Sequence, residues 1–192
     1  MSSFHRWGLR VCTALGAAIF SVNTLAAGPT LLVSTSANPA LQGSSLTLSV
    51  KVEELVDLFA FQYSLSFNPS VLQAVSVSEG SFLSVGGATF YGAGTIDNTG
   101  GSIISTFNSL LGAVPGVSGN GLLSTVVFNV TGLGLSNFGF SDVDFLNSNL
   151  ASLQLQVQGG SVQAVLVPEP STYLLFGVGL AGLAFAQRRR LV

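Results

Sequence analysis

Apolar and polar residues alternate with a period of two along most of this chain, and that period constrains its fold most strongly. Leu46, Leu48, Val50 and Val52 share one face, with Ser45, Thr47, Ser49 and Lys51 on the other. Phe59, Phe61, Tyr63, Leu65 and Phe67 repeat the pattern against Ala60, Gln62, Ser64 and Ser66. Segments 122–130, 138–145 and 153–157 continue it. Successive side chains of a strand point to opposite faces, so each run reads as a half-buried strand. Turn signals separate the runs: Asn38-Pro39, Asn68-Pro69, Gly86-Gly87, Gly100-Gly101, Pro115-Gly116, Gly119-Asn120-Gly121 and Gly159-Gly160. Short strands between such turns predict an all-β antiparallel sandwich of about nine strands, Greek-key or jelly-roll in arrangement. The domain expected to hold them spans residues 28–166. No internal repeat is visible.

Charge is scarce and segregated. Only 7% of residues are charged, against about 25% in ordinary globular chains. Five of the six basic residues sit in the end segments: Arg6 and Arg10, then Arg188, Arg189 and Arg190. Between residues 28 and 167 the one basic residue, Lys51, faces seven acidic ones, a net charge of −6. A nucleic-acid binder needs a basic face to neutralise phosphates, which excludes that class of partner.

The two ends read as addresses rather than as parts of the sandwich. His5 to Arg10 is a basic segment, Val11 to Phe20 an apolar core, and Leu25-Ala26-Ala27 a run suited to signal peptidase. Residues 1–27 are therefore expected to be a secretory signal peptide. Cys12 leaves with it, so the mature chain has no thiol for a disulfide or a metal. At the other end Pro168-Glu169-Pro170 precedes an apolar run over residues 173–186, and Arg188-Arg189-Arg190 closes it. The order fits a transmembrane helix with its arginines held on the cytoplasmic side. The run spans only about 21 Å as a helix, short for a bilayer core of about 30 Å.

The tail, residues 167–192, resembles the PEP-CTERM sorting signal of Gram-negative bacteria, whose parts are the Pro-Glu-Pro motif, the apolar helix and the arginine cluster. The resemblance implies processing by an exosortase, an integral-membrane cysteine protease, in organisms that make exopolysaccharide. It further implies a protein anchored in the inner membrane before processing and then delivered to the cell surface or extracellular matrix.

The middle of the chain carries a second resemblance. Residues Phe59 to Ala74, FAFQYSLSFNPSVLQA, resemble the cohesin segment that reads aromatic-x-aromatic-x-hydrophobic-x-Leu-x-aromatic-Asp-Pro-x-x-Leu. Gly119 to Phe128 resembles the later Gly-x-Gly-x-Leu strand of those modules, and Glu79 to Leu83 and Gly160-Ser161-Val162 extend the likeness. It implies a jelly-roll sandwich related to carbohydrate-binding modules, and a face that binds a dockerin module. Two features depart from that setting: a single copy, and Asn68 where Asp usually precedes the proline.

Little in the mature domain suits catalysis. The sole histidine, His5, is in the leader, so neither a Ser-His-Asp or Cys-His triad nor a conventional zinc site can be built. Lys51 lies on a polar strand face beside Glu53, where solubility explains it. Asp142 and Asp144 are expected on one strand face about 7 Å apart, which leaves a cryptic glycosidase or enzyme accessory domain as an alternative. Together with Asn147 and Asn149 they also offer hard oxygens of the kind calcium takes. The competing reading is a solvated strand edge closed by an Asn147-Ser148-Asn149 turn. For carbohydrate stacking, Tyr91, beside Gly92 and Gly94, is the candidate exposed ring, while Tyr63 falls in phase with the core. These observations together predict a non-enzymatic exported protein that binds a dockerin-like protein or an exopolysaccharide, with a purely structural matrix or biofilm role as the alternative.

Overall fold

The computed structural model describes residues 28–167, 175–181 and 187. The signal-peptide expectation for residues 1–27, and Pro168, Glu169, Pro170, Arg188, Arg189 and Arg190, lie outside the described residues. Residues 175–181 are helical. Among the described residues no helix is long and apolar enough to cross a membrane.

The alternating pattern folds as expected, into eleven strands among the described residues rather than about nine. They are β1 (Thr30–Thr35), β2 (Ala40–Leu41), β3 (Ser45–Ser66), β4 (Leu72–Glu79), β5 (Thr89–Gly92), β6 (Thr95–Asp97), β7 (Ser102–Leu110), β8 (Val117–Val130), β9 (Gly134–Asn147), β10 (Gln156–Gln158) and β11 (Gly160–Val165). A single helical turn, α1 (Ser81–Ser84), follows β4. The extra strands are short pieces such as β2, β6 and β10, too brief for a periodicity to show. Two of them pair in parallel, β10 with β1 and β2 with β11; the other pairings are antiparallel.

β3 organises both layers of the sandwich. Its 22 residues would reach roughly 70 Å if straight, longer than one layer of a domain this size. The alternation breaks at Glu53-Glu54, and Glu54 and Asp57 adopt positive φ of 54° and 59°, which bends the strand. Its first half, from Ser45 to Val52, pairs with β1 on one side and β8 on the other. β4 and β10 extend this first layer through β8 and β1. Its second half, from Ala60 to Ser66, pairs with β7 and β9. β5 and β6 continue that second layer beyond β7, and β11 and β2 continue it beyond β9.

Between the layers the in-phase apolar residues meet. Leu46, Leu48, Val50 and Val52 are fully buried, as are Phe61, Tyr63 and Leu65. Phe128 of β8 meets Phe67 edge-on at 5.1 Å between ring centroids, and Phe138 at 5.9 Å. Tyr63 and Ser124 share a hydrogen bond across the layers. Deleting either hydroxyl leaves the other buried without that partner, at a cost of about 1–3 kcal/mol.

The bend of β3 is held by the Asp57 carboxylate. Its Oδ1 accepts the Gly116 N–H at 2.9 Å, and its Oδ2 accepts the Ser148 hydroxyl at 2.8 Å and the Ser148 N–H at 3.3 Å. The Asp57 N–H in turn donates to Ser118 Oγ at 2.9 Å. One side chain thus ties the segment before β8 and the turn after β9 to the central strand. The Ser148 hydroxyl, foremost, holds the carboxyl below the usual carboxylate range; partial desolvation opposes it, and the Gly116 and Ser148 N–H groups add to the lowering. A folded-state pKa below the unfolded one stabilises the fold above the unfolded value of about 4, and the contribution disappears as pH falls through the folded value. Asn tolerates the same positive φ, so Asp57→Asn removes the charge and leaves the backbone unstrained. Its thermal midpoint should lie below that of the parent at pH 7, and the gap should close below about pH 4. Equal midpoints at pH 7 would show that the carboxylate does not hold the bend.

Candidate binding site

The outer face of the second layer is where the fold presents unsatisfied apolar surface. In the second half of β3, Phe61, Tyr63 and Leu65 turn inward, which leaves Ala60 and Gln62 outward. Phe107 and Ser109 of β7 lie beside them on one flank, and Asp144 and Leu146 of β9 on the other. These side chains line a shallow depression in which Asp144 is the one charge. Phe90 of β5, 60% exposed, packs against Phe107 at 5.6 Å between centroids. Ile104 and Leu111 extend the apolar row along β7 and remain exposed.

This face arises because β7 inverts the usual order of a half-buried strand. Thr106 and Asn108 are fully buried, and Phe107 between them faces outward. The inward polar groups are satisfied. Thr106 Oγ1 donates to the Ala93 carbonyl at 3.1 Å, and Asn108 Nδ2 donates to Glu79 Oε1 at 2.8 Å. The same Glu79 oxygen accepts from Thr89 Oγ1 at 2.6 Å, so β4, β5 and β7 are stapled together beneath the face. At Ser105, φ 57°, a bulge interrupts the ladder, and the Ser105 N–H donates to Ser64 Oγ at 3.2 Å.

Tyr91 is not the exposed ring. It pairs with inward Asn108, whereas Phe90 pairs with Ser109, so β5 turns the phenol inward and the phenyl outward. The Tyr91 hydroxyl is buried without a hydrogen-bond partner among the described residues. Burial, with smaller repulsion from Tyr63 and Glu79, pushes its pKa above the ordinary phenol value. Tyr63 is core, as its phase predicts; burial pushes its hydroxyl up to about 12, partly offset by hydrogen bonds with Ser124 and Thr106. Both phenols are therefore neutral.

Of the four residues considered for calcium, Asp142 and Asp144 lie on β9, and Asn147 and Asn149 in the turn that ends it. Gln62 pairs with Asp144 and Ser64 with Ser141, so Asp142 and Val143 together oppose Tyr63. That bulge, with Asp142 at φ 51°, removes the regular two-residue spacing that would set both aspartates on one face. Asn147 Oδ1 accepts the N–H groups of Asn149 and Ala151, each at 2.9 Å, and is spent on the turn. Asp142 Oδ2 accepts the Ser141 hydroxyl at 3.2 Å, and Asn149 is exposed in the turn. Among the described residues no group of three or more His, Cys, Asp or Glu side chains converges. Lys51 is half-buried on the outer face of the first layer, near Glu53 and Asn120.

The sequence reading missed Phe90, Ile104 and Phe107. Their signal was Thr106-Phe107-Asn108, an aromatic residue flanked by polar ones. Only the register with β3 shows that the polar pair is the inward one.

Comparison with known proteins agrees with this fold. The cohesin-domain family profile matches residues 31–162, and the PEP-CTERM protein-sorting motif matches residues 166–190. The chain belongs to the cohesin family and carries a PEP-CTERM tail. Among solved structures it is similar to a non-cellulosomal cohesin from the hyperthermophilic archaeon Archaeoglobus fulgidus, with 20% identity and a TM-score of 0.57, covering 77% of this chain and 96% of that one. It is also similar to a chain of a type II cohesin-X-dockerin complex from Acetivibrio cellulolyticus, at 16% identity and TM-score 0.62 over 71% of this chain and 99% of that one. A third is a type I cohesin-dockerin complex from Clostridium thermocellum, at 14% identity and TM-score 0.60 over 73% and 96%. No curated protein sequence matches the chain. Cohesin domains are binding modules, and one followed by a PEP-CTERM motif makes this an exported binding protein, anchored in a membrane before processing.

Removing the Tyr91 hydroxyl tests the inward assignment. Tyr91→Phe deletes a buried polar atom with no partner among the described residues and should raise unfolding stability by about 1 kcal/mol or more in urea titration. A loss of stability would mean that the hydroxyl is bonded, or that the ring faces solvent-exposed polar groups instead.

Proposed function

We propose that this chain is a non-enzymatic adaptor that binds a dockerin-like protein through the outer face of its second layer. An exosortase would cut the PEP-CTERM tail and deliver it to the cell surface or exopolysaccharide matrix of a Gram-negative bacterium, after signal peptidase has removed residues 1–27. The observation that carries the binding reading is the apolar row of Phe90, Phe107 and Ile104 on an otherwise weakly charged sheet face. Exposed aromatic and aliphatic anchors around small residues, here Ala60, are what a protein interface concentrates at its centre. Asp144 at the edge favours a partner that offers a basic or hydrogen-bond-donating group there. The partners of the cohesins in the Acetivibrio and Clostridium complexes are dockerins, and membership of the same family supports that partner class here.

A second reading, carbohydrate binding, draws on the exposed Phe90 ring, which replaces Tyr91 as the stacking candidate. The two separate in one experiment. The exported chain is used to capture partners from envelope and matrix fractions of its own organism, alongside Phe107→Ser and Phe90→Ala. A dockerin-bearing protein held by the parent, with affinity about 30-fold lower for Phe107→Ser, is the expected result. Retention of polysaccharide alone, lost with Phe90→Ala, would move the function to glycan binding. If Phe107→Ser binds as the parent does, the face is not the interface.

Sorting has its own test. Deleting residues 168–192 should release the exported protein into the medium, read by immunoblot of cells and supernatant. Unchanged association with cells would remove the sorting claim.

A further inference from the structure

The loops at one end of the sandwich are bonded to each other and to the point where the chain leaves the domain. Gln42 N–H donates to the Val165 carbonyl and Gly43 N–H to that of Val130, both at 2.8 Å. Thr131 N–H donates to the Val71 carbonyl at 2.9 Å, and Phe67 N–H to that of Gly101 at 2.8 Å. Val165, the last residue of β11, pairs with Leu41, and the sorting tail begins just beyond it.

Apolar side chains crowd this exit. Leu41, Leu133, Leu135, Leu166 and Val167 are each between 40% and 64% exposed. Their clustering follows from register. Leu41 pairs with Val165, Leu135 with Gln163, and Gly134, between Leu133 and Leu135, with Ala164. Three adjacent strands therefore bring leucines to one rim, and Leu166 and Val167 continue directly from it. Glu53, Glu54 and Asp57 lie at the opposite end, where Glu54 and Asp57 are bonded to Asn120, Ser118, Gly116 and Ser148. Asp97, the carboxylate among the exit-end loops, is occupied in its own turn by the N–H groups of Thr99 and Gly100, each at 2.9 Å.

We propose that this leucine rim is a membrane-contact surface, seated in the interfacial region of the lipid bilayer while the tail is uncut. The proposal rests on the reading of the tail as a membrane anchor. Residues 168–174 separate Val167 from helical Leu175, a reach of at most about 29 Å. Anchoring the apolar stretch thus holds the rim close to the bilayer, at a high effective concentration. The rim carries no lysine or arginine, so it enters by burying leucine rather than by attraction to anionic headgroups. Seating this end on the bilayer points the acidic end outward.

The test uses residues 28–192, the chain after the expected removal of its leader and with it Trp7, reconstituted in phosphatidylcholine vesicles, with either Leu133→Trp or Val56→Trp as the sole tryptophan. Val56 is 68% exposed at the bend of β3, at the opposite end. Flotation on a density gradient first reports whether the tail holds the chain to vesicles. Lipids brominated high on the acyl chain should then quench the Leu133→Trp reporter about two-fold or more and leave Val56→Trp unchanged. Leu41→Trp should behave as Leu133→Trp does, which guards against a misfolded reporter. Flotation without quenching at Leu133 and Leu41 overturns the rim contact and leaves the anchor intact. A concentration-dependent blue shift without quenching assigns the rim to a second copy and also overturns it. Equal quenching at Val56 means no defined orientation and overturns it as well. Failure to float removes the anchor, and the rim contact falls with it.

Discussion

One strand belongs to both layers of this sandwich, and the Asp57 carboxylate holds the place where it passes from one to the other. β3 pairs first with β1 and β8, then with β7 and β9, so each layer is built outward from the same backbone. The left-handed residues at Glu54 and Asp57 supply the change of direction, and bonds from Gly116 and Ser148 keep it. A domain with one basic residue cannot rely on ion-pair networks. Hydrogen bonds from neutral donors to a few carboxylates take that role, as Glu79 does with Thr89 and Asn108.

The apolar outer face is a consequence of this construction. Because Thr106 bonds the Ala93 carbonyl and Asn108 bonds Glu79 beneath β5, polar side chains occupy inward positions on β7. The strand must then put Phe107 outward, and β5 sets Phe90 beside it. An interior polar network thereby produces an exterior apolar row, in a region whose ladder is stiffened from below.

Asn68 shows how the chain's departure from the family pattern is accommodated. Its Oδ1 accepts the Ser70 N–H at 3.0 Å, a turn contact that Asp would also make. Its Nδ2 donates to the Leu135 carbonyl at 3.1 Å, a bond beyond the reach of a carboxylate, which has no donor. The substitution ties the β3–β4 turn to β9 at the end where the tail departs.

The order of two of the chain's parts was legible in one dimension: alternating strands, then a Pro-Glu-Pro tail. So was the identity of most core residues, because a period of two assigns faces without knowledge of partners. The cohesin likeness rested on the same legible segments, Phe59 to Ala74 and Gly119 to Phe128. What stayed illegible depended on pairing across long sequence separations. Whether Phe90 or Tyr91 faces solvent is decided by which of Ser109 and Asn108 stands opposite. Whether Asp142 and Asp144 share a face is decided by one extra residue in β9 opposite Tyr63. The leucine rim exists only because β2, β9 and β11, more than a hundred residues apart at their extremes, end side by side. Alternation determines which side chains of a strand agree with each other; only the register between strands decides which of the two faces is the interior.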